Sequence, residues 1–322
     1  KLDGSDEMGA LIHGLAGADV APTPGGDVVA NPDVLPTGRN IHGFDPFLLP
    51  SPYACKVGAE QAERLLTRHL EQDDAFPESV AMVLWGTDNM KSEGVQIAQA
   101  MTLMGAQPRR DSYGRLAGAE LIPLEQLGRP RVDVVITLSG IFRDLLPMQT
   151  RMLAEAAFLA ASADEPLERN FVRKHSLAHA ERHSCDLETA ALRVFSNAEG
   201  AYGANVNQMI DGGAWADPDE LADAFEINKG FAYGVKGTPV RQRELLQSAL
   251  GTVDFTYQNL ESVELGINDV DQYVDGLGGV SRSVAKAKGE EAPVYILDAT
   301  RGKAKVRTLS EQIDLEARTR TL

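Results

Sequence analysis

A short apolar run, a polar loop and a helical stretch follow one another twice in this chain, and this order constrains the fold more than any other feature. The run SVAMVLWG (79–86) precedes a polar loop and then a helical pattern. The run VDVVITLSG (132–140) precedes a second helical pattern, which reaches Ala161. Because strands joined by crossover helices pair in parallel, the repeat predicts an α/β layer built on a parallel sheet.

Periodic apolar positions predict helices beside these strands. Ile97, Met101 and Met104 recur at helical intervals, and a glycine follows them directly. Another helix is predicted at about 56–72. Strand, loop and helix in this order are typical of a Rossmann-like layer, which we therefore predict for residues 56–165.

Two other stretches flank this layer. Residues 1–55, rich in Gly, Pro, Asn and Asp, are predicted to be an extended, loop-rich segment. Residues 166–322 are predicted to be mainly helical, with helical spacing through RELLQSALGTVDFTYQNL (243–260) and a late strand at PVYILDAT (293–300). We expect the whole to be an internal part of a larger multidomain chain, because no initiator methionine opens it and it stops within a helical pattern.

Composition and missing motifs exclude several classes of protein. Acidic residues outnumber basic ones by 47 to 31, and this net charge of −16 argues against nucleic acid as the partner. No P-loop occurs, so any ATP would be bound by another polypeptide or region. No run approaches the ~18 apolar residues of a membrane-spanning helix. Two distant cysteines, Cys55 and Cys185, fit a reducing cytoplasm, where we expect the protein to act.

Three histidines in HSLAHAERH are spaced like metal ligands but do not match a known zinc motif. His175, His179 and His183 are four residues apart, so a helix would place them on one face. The outer two would then be two turns, or about 10 Å, apart, which is too far for one ion. Glu181 matches neither zinc protease signature. A solvated polar face with one useful histidine is the favoured interpretation, and no metal site is predicted.

Polar loops follow both predicted strands, where open parallel sheets bind their ligands. Both loops are therefore expected at the same edge of the sheet. Their candidate residues are Asp88, Asn89, Lys91, Ser139, Arg143 and Asp144. Helix capping is an equally good explanation for Asp88 and Ser139, because both residue types are common N-caps. The residues alone leave the two interpretations open.

Two further segments combine polar side chains with glycine. The first, LPTGRNIHGFDP (35–46), is either a surface turn or a loop aimed at a ligand. The second, FSNAEGAYGANVNQMI (195–210), is either the polar beginning of a helix or a surface shaped around a flat ligand. Their candidate residues are Arg39, Asn40, His42, Asp45, Tyr202, Asn205 and Asn207.

Several longer motifs are distinctive: LPTGRNIHGFDP, WGTDNMKSEGVQIAQAMTLMGAQP, LGRPRVDVVITLSGIFRDLLPMQ, NFVRKH and KVRTLSEQIDLEARTR. With FSNAEGAYGANVNQ and ELGINDVDQY they are distributed over nearly the whole chain, and they resemble the large, porphyrin-binding subunits of the magnesium chelatase and cobaltochelatase family. NIHGFDP, GTDNMKSEG and NFVRKH are more similar to the magnesium enzyme. Details around the first motif are most similar to its bacteriochlorophyll-pathway form, the H subunit.

The resemblance implies a reaction and partners. The family's large subunit binds protoporphyrin IX and houses metal insertion, while two smaller AAA+-type subunits bind and hydrolyse ATP. Insertion of Mg²⁺, a substrate here, needs proton acceptors and groups that replace the water around the ion. The resemblance implies catalytic roles for His42, Asp45, Asp88 and Asp144. It implies substrate contacts from Arg39, Asn40, Asn89, Lys91, Ser139, Arg143, Arg173, His175, Tyr202, Asn205 and Asn207, among which Arg39, Lys91, Arg143 and Arg173 would pair with the propionates.

Two alternatives stay open at this point. One is a cobaltochelatase large subunit that inserts Co²⁺ into a corrinoid precursor. The other is a tetrapyrrole carrier or sensor without catalysis. Either the cytoplasm or the surface of photosynthetic membranes is compatible with the resemblance.

Overall fold

Two compact units make up the chain, Lys1–Pro46 and Phe47–Leu322. The computed structural model describes residues 6–24, 35–41, 45–262, 265–300 and 304–319. In the first unit the described elements are helix α1 (Glu7–Leu15) and a parallel pair of two-residue strands, β1 (Thr23–Pro24) and β2 (Asn40–Ile41).

The second unit is an α/β structure. Its strands are β3 (Ser79–Leu84), β4 (Ala106–Arg110), β5 (Leu116–Leu121), β6 (Asp133–Leu138), β7 (Val194–Ser196), β8 (Phe231–Tyr233), β9 (Pro239–Arg241), β10 (Phe255–Leu260), β11 (Val294–Asp298) and β12 (Lys305–Thr308). Its α-helices are α2 (Pro52–Asp73), α3 (Gly86–Lys91), α4 (Val95–Leu103), α5 (Leu124–Leu127), α6 (Gly140–Leu145), α7 (Pro147–Ser162), α8 (Phe171–His183), α9 (Leu187–Ala190), α10 (Val206–Asp211), α11 (Pro218–Lys229), α12 (Arg243–Leu250), α13 (Gly279–Lys288) and α14 (Leu309–Thr319). A π-helix spans Val270–Gly278. In the described ranges no helix combines the length and apolar character needed to cross a bilayer.

Eight strands form one sheet in the order β12, β11, β10, β3, β6, β7, β8, β9. The five strands from β11 to β7 are parallel, and the strands beyond them at both sides pair antiparallel. Strands β4 and β5 form a separate antiparallel pair. The predicted α/β class with a mostly parallel sheet is confirmed.

The central strands are apolar because helices cover both faces of the sheet. Every residue of β3 and β6 is buried. Helices α2, α4 and α7 pack on one face, with Leu65, Ile97 and Leu153 in the core. Helices α11, α12 and α13 pack on the other, with Phe225 and Leu246 in the core. A strand that is buried on both faces has apolar residues at nearly every position. For this reason β3 and β6 are recognisable in the sequence.

Residues 166–322 differ from the sequence prediction, because they contribute six strands to the sheet and not one late strand. The helical assignment of 243–260 is wrong in its second half, where α12 ends at Leu250 and β10 begins at Phe255. Strand β10 carries the buried polar residues Gln258 and Asn259 among its apolar ones. These interrupt the apolar run, so the spacing of the remaining residues imitates a helix.

Candidate functional site

The parallel strands β3, β6, β7 and β10 all end at one edge of the sheet, which we call the carboxyl edge. The residues that follow them belong to α3, α6, the 197–205 loop and Glu261. Ser139 joins two of these segments, because its Oγ accepts hydrogen bonds from the backbone N–H of Phe142 (3.1 Å) and Gly86 (3.3 Å). Ser139 is therefore a helix cap that also holds the two loops together.

Arg143 fixes the loop after β7. Its Nη1 donates to the carbonyls of Ala198 (2.6 Å) and Ala201 (3.0 Å). Its Nε and Nη2 donate to the two carboxylate oxygens of Asp144, at 2.7 and 3.0 Å. The guanidinium is buried, and these partners within the chain take up most of its donors. The predicted pairing of Arg143 with a propionate is therefore not supported by its geometry.

Tyr202 and Asp144 form the exposed rim of this edge. The Tyr202 hydroxyl donates to Asp144 Oδ2 at 2.6 Å, and its ring lies against Gly140, where a Cβ would be 2.3 Å from the ring. The Arg143 guanidinium lies over the Tyr202 ring, 5.3 Å from its centroid, and the side chain stays 57% exposed. The hydrogen bond from Arg143 holds the pKa of Asp144 below its usual value, and Tyr202 adds to this. A lowered pKa makes Asp144 a weaker proton acceptor than the sequence suggested.

The π-helix holds the segment with Asn205 and Asn207. Asp275 accepts hydrogen bonds from the backbone N–H of Val206 (2.8 Å) and Asn207 (3.3 Å). Asn205 itself is exposed and has a left-handed backbone conformation, with φ of 64°. π-helical turns are frequent at functional sites, and this one places both asparagines beside the carboxyl edge.

Asn89 and Lys91, on α3, differ in their surroundings. Asn89 is buried, donates to the carbonyl of Trp85 (2.9 Å) and accepts from the N–H of Ile97 (3.2 Å). These two hydrogen bonds join α3 to α4. Lys91 is exposed at the end of α3 and remains available to an anionic group.

Asp88 is the candidate whose environment is most unusual. Its side chain is 1% exposed, and its Oδ2 has no hydrogen-bond partner in the described part of the chain. Burial raises the pKa of Asp88 to about 6, and the negative charge of Glu261 adds to this. The alternative interpretation of Asp88 as a helix cap does not apply, because α3 has no side-chain cap. A carboxyl group with a pKa near neutrality is suited to accept a proton.

Glu261, whose negative charge helps to raise the pKa of Asp88, is a residue that the sequence did not indicate. Gln96 Nε2 donates to Glu261 Oε1 at 3.4 Å, and burial raises the pKa of Glu261. Among the described residues, the Tyr273 hydroxyl and both side-chain polar atoms of Gln258 are buried without hydrogen-bond partners. Glu261 directly follows FTYQNL, which forms strand β10. Had this segment been predicted as a strand, Glu261 would have been expected at the carboxyl edge.

Lys229 is a second residue that the sequence did not indicate. Its buried Nζ donates to the carbonyl of Leu138 (3.0 Å) and to Asn197 Oδ1 (2.7 Å). Burial lowers the pKa of Lys229 to about 8. Because Tyr233 also donates to the Asn197 carbonyl at 2.6 Å, the ends of β6 and β7 are held by buried polar contacts.

Arg173 and His175 lie at the opposite edge of the sheet, where the strands begin, so the structure does not group them with Asp88. His175 Nδ1 is 3.0 Å from Asp133 Oδ2, and its Nε2 is 3.2 Å from Glu78 Oε2. Arg173 pairs with an exposed aspartate at the end of α7. Six-residue strands separate the two edges by roughly 20 Å. The substrate contacts predicted for Arg173 and His175 are therefore not part of the carboxyl edge, and they stay predictions.

The other two histidines of α8 contact each other and not His175. The rings of His179 and His183 stack at 4.2 Å, and His179 Nδ1 is 3.0 Å from Ser248 Oγ. Burial lowers the pKa of His179 to about 4, and the charge of His183 contributes. In the described residues no group of three or more His, Cys, Asp or Glu side chains is arranged to hold a metal.

The remaining predicted residues belong to the first unit. Arg39 and Asp45 are exposed there, and the Arg39 carbonyl accepts from the N–H of Thr23 at 3.0 Å. Asn40 begins β2. His42 lies outside the described residues. The roles assigned to these four residues stay predictions.

Comparisons with known proteins agree on one family. Residues 1–322 match the family model described as CobN/Magnesium Chelatase. The chain is 60% identical, over 98% of its length, to the magnesium-chelatase H subunit of Cereibacter sphaeroides and covers 26% of that protein. It is 35% identical, over 99% of its length, to the aerobic cobaltochelatase CobN protein of Sinorhizobium sp, again covering 26%. The catalytic subunit of cobaltochelatase from Mycobacterium tuberculosis superimposes with a TM-score of 0.90 at 33% identity, over 98% of this chain and 27% of that one. The chain thus spans about a quarter of the relatives it matches.

Proposed function

Because the chain belongs to the CobN/magnesium chelatase family, we propose that it is part of the large, porphyrin-binding subunit of a magnesium chelatase. The proposed reaction inserts Mg²⁺ into protoporphyrin IX in chlorophyll or bacteriochlorophyll biosynthesis. Two AAA+-type partner subunits bind and hydrolyse the ATP. The complex would act in the cytoplasm or at the surface of photosynthetic membranes. The observation that carries the choice of metal is the higher identity to magnesium-chelatase H subunits than to cobaltochelatase.

The carboxyl edge supplies groups that suit this reaction. Metal insertion displaces two pyrrole protons, and Asp88 has a raised pKa and a free carboxylate oxygen to receive them. The exposed part of the Tyr202 side chain can contact a planar macrocycle, and Lys91 can pair with a propionate. For the first unit, the substrate-binding roles of Arg39 and Asn40 and the catalytic roles of His42 and Asp45 stay predictions from the resemblance. Mg²⁺ dehydrates reluctantly, so oxygen and nitrogen groups must replace its waters.

The test is metal insertion by the full-length protein with its two AAA+ subunits, ATP and protoporphyrin IX. Mg²⁺ and Co²⁺ are supplied in separate reactions, and the fluorescence change of the porphyrin reports insertion. We expect insertion of Mg²⁺ that depends on ATP. Turnover with Co²⁺ and a corrinoid precursor, without turnover with Mg²⁺, would identify a cobaltochelatase instead.

A carrier or sensor is separated from an enzyme by Asp88→Asn. If the protein is an enzyme, the variant binds protoporphyrin with nearly unchanged affinity and inserts Mg²⁺ on the order of 100-fold more slowly. Glu93→Gln is the matched control, because Glu93 is exposed and lies two residues beyond α3. Binding of porphyrin by the wild type with no insertion under any of these conditions would support the carrier.

A further inference from the structure

The 197–205 loop, between β7 and α10, carries two of the predicted substrate contacts. Tyr202 and Asn205 are both exposed on it, at the carboxyl edge of the sheet. The loop itself contains no helix or strand, so the backbone ladders that hold the rest of the sheet do not fix its conformation. Side chains from neighbouring elements must therefore decide where Tyr202 and Asn205 lie.

Three elements supply side chains that hold this loop. Asp275, from the π-helix, is buried and accepts from the backbone N–H of Ala204 and from that of Val206 at 2.8 Å. Asn228, on α11, donates to the Ala204 carbonyl at 3.0 Å. Arg143, on α6, donates to loop carbonyls, as described above. The loop is thus a surface with a defined backbone and not a free connection.

The contact that reaches closest to Tyr202 along the chain begins at Lys229, the last residue of α11. Its Nζ donates to the Leu138 carbonyl and, at 2.7 Å, to Asn197 Oδ1. Because an amide has one acceptor end and one donor end, this contact directs Asn197 Nδ2 the other way. That nitrogen donates to the carbonyl of Gly203 at 2.6 Å. Gly203 directly follows Tyr202, so a continuous series of hydrogen bonds leads from the sheet to the exposed ring.

Stability does not account for a lysine at this position. Lys229 is 6% exposed, and burial lowers its pKa. Both of its acceptors are uncharged, and the charge of Asp275 offsets only part of the cost of burial. Apolar side chains that replace buried charges are often neutral or stabilising. A residue that is costly to bury and that orients a loop at a candidate site indicates a role in function.

We propose that Lys229 is a positioning residue for the macrocycle, because through Asn197 it fixes the loop that presents Tyr202 and Asn205. This inference rests on the proposed function. Lys229 and Asn197 are both buried, so neither contacts the substrate itself. A loop that is ordered before binding spares the complex the entropy of ordering it, so loss of this order weakens binding.

The first experiment measures the order of the loop without any activity. Hydrogen–deuterium exchange is followed by mass spectrometry in the full-length protein, on peptides that cover 197–207. We expect Lys229→Met and Asn197→Ala each to speed exchange in these peptides roughly 10-fold. Asn170→Ala is the matched control, because this buried asparagine lies at the opposite edge, where it donates to the Ala160 carbonyl at 2.8 Å. It should leave the loop unchanged. Equal loop exchange in wild type and both loop variants would overturn the proposal.

The second experiment separates positioning of the substrate from a merely structural role. In the full-length protein with its partner subunits, Lys229→Met should raise the Kd and KM for protoporphyrin IX roughly 10-fold and change kcat by less than about two-fold. Asn197→Ala should do the same, and it carries the test if Lys229→Met does not fold. The double variant should be no worse than either single one, because the lysine acts through the asparagine.

The outcomes distinguish this inference from the proposed function. A lower kcat at unchanged Kd and KM would mean that the variants only reduce the fraction of folded protein, and it would overturn the positioning role. Unchanged kinetics in both variants would also overturn it, while Mg²⁺ insertion by the wild type leaves the proposed function intact. If the wild type does not bind protoporphyrin, the proposed function fails, and the inference fails with it.

Discussion

The two edges of the central sheet each bury an aspartate, and they treat it in opposite ways. Asp133, at the beginning of β6, receives a hydrogen bond from Arg193 Nε at 2.7 Å and lies 3.0 Å from His175. Although burial alone would raise the pKa of Asp133, the charge of Arg193 lowers it. Asp88, beyond the end of β3, is equally buried, and its pKa rises. The partners of a buried carboxylate, and not its burial, therefore decide whether it stabilises the fold.

The difference follows from which elements reach each edge. The edge where the parallel strands begin is called the amino edge here. His175 on α8 and Arg193, the residue directly before β7, both reach this edge, so cations surround Asp133. At the carboxyl edge burial raises the pKa of Asp88, the negative charge of Glu261 adds to this, and the exposed Lys91 offsets it only in part. A buried carboxylate that is paired with cations helps to hold the fold together. A buried carboxylate without such a partner is held in place by the surrounding structure and is free to react.

The largest effect is expected from Asp133→Asn. The substitution leaves the buried Arg193 guanidinium without its counter-charge, so we expect unfolding in urea to require about 3–5 kcal/mol less free energy. Asp164→Asn is the matched control, because Asp164 also pairs with an arginine but is fully exposed, and it should leave the unfolding midpoint unchanged. Equal effects of the two substitutions would show that the amino-edge cluster does not stabilise the fold.

A smaller effect of opposite sign is expected from Asp88→Asn. A carboxyl group whose folded pKa is raised loses stability as the pH rises from the unfolded value of about 3.9 through about 6. The variant avoids this loss, so it should be as stable as the wild type near pH 4 and about 2–3 kcal/mol more stable at pH 7.5. Urea unfolding at the two pH values measures the difference. A constant difference across this range would mean that Asp88 does not have a raised pKa.

The smallest effect is expected from His175→Gln, and it depends on pH in the other direction. Burial lowers the pKa of His175, but the hydrogen bond and charge of Asp133 outweigh this and raise it. A raised histidine pKa contributes stability below the unfolded value of about 6.5, and the contribution is lost as the pH rises through the folded value. The wild type should therefore exceed the variant by about 1 kcal/mol near pH 6 and by less near pH 9. A gap that widens above pH 8 would contradict this.

Much of the fold was predictable because local patterns report burial. The apolar runs of β3 and β6, and the periodic positions of α4, predicted the parallel layer correctly. Strand β10 was missed because Gln258 and Asn259 interrupt its apolar run, although both are buried. Asn259 donates to Glu261 Oε1 at 3.1 Å, so the polar residues that hide this strand in the sequence are those that contact the candidate site.

The candidate site was predictable in its location but not in its composition. Sequence reasoning identified the loops after β3 and β6, since ligands bind beyond the carboxyl ends of parallel strands. It could not distinguish Ser139, which caps a helix, from Asp88, which has a free oxygen, because both are polar residues at helix beginnings. It also grouped Arg173 and His175 with this site, and these lie at the other edge.

The amino-acid sequence by itself determined the α/β class, the two central strands and the resemblance to the chelatase family, because these depend on local periodicity and contiguous motifs. Tertiary structure alone decided which polar residues share an environment. Glu261 and Asp88 are separated by more than half of the chain, and only the parallel pairing of β10 with β3 brings them to one edge. A pKa depends on neighbours in space and on the exclusion of water, and neither is recorded in the order of residues.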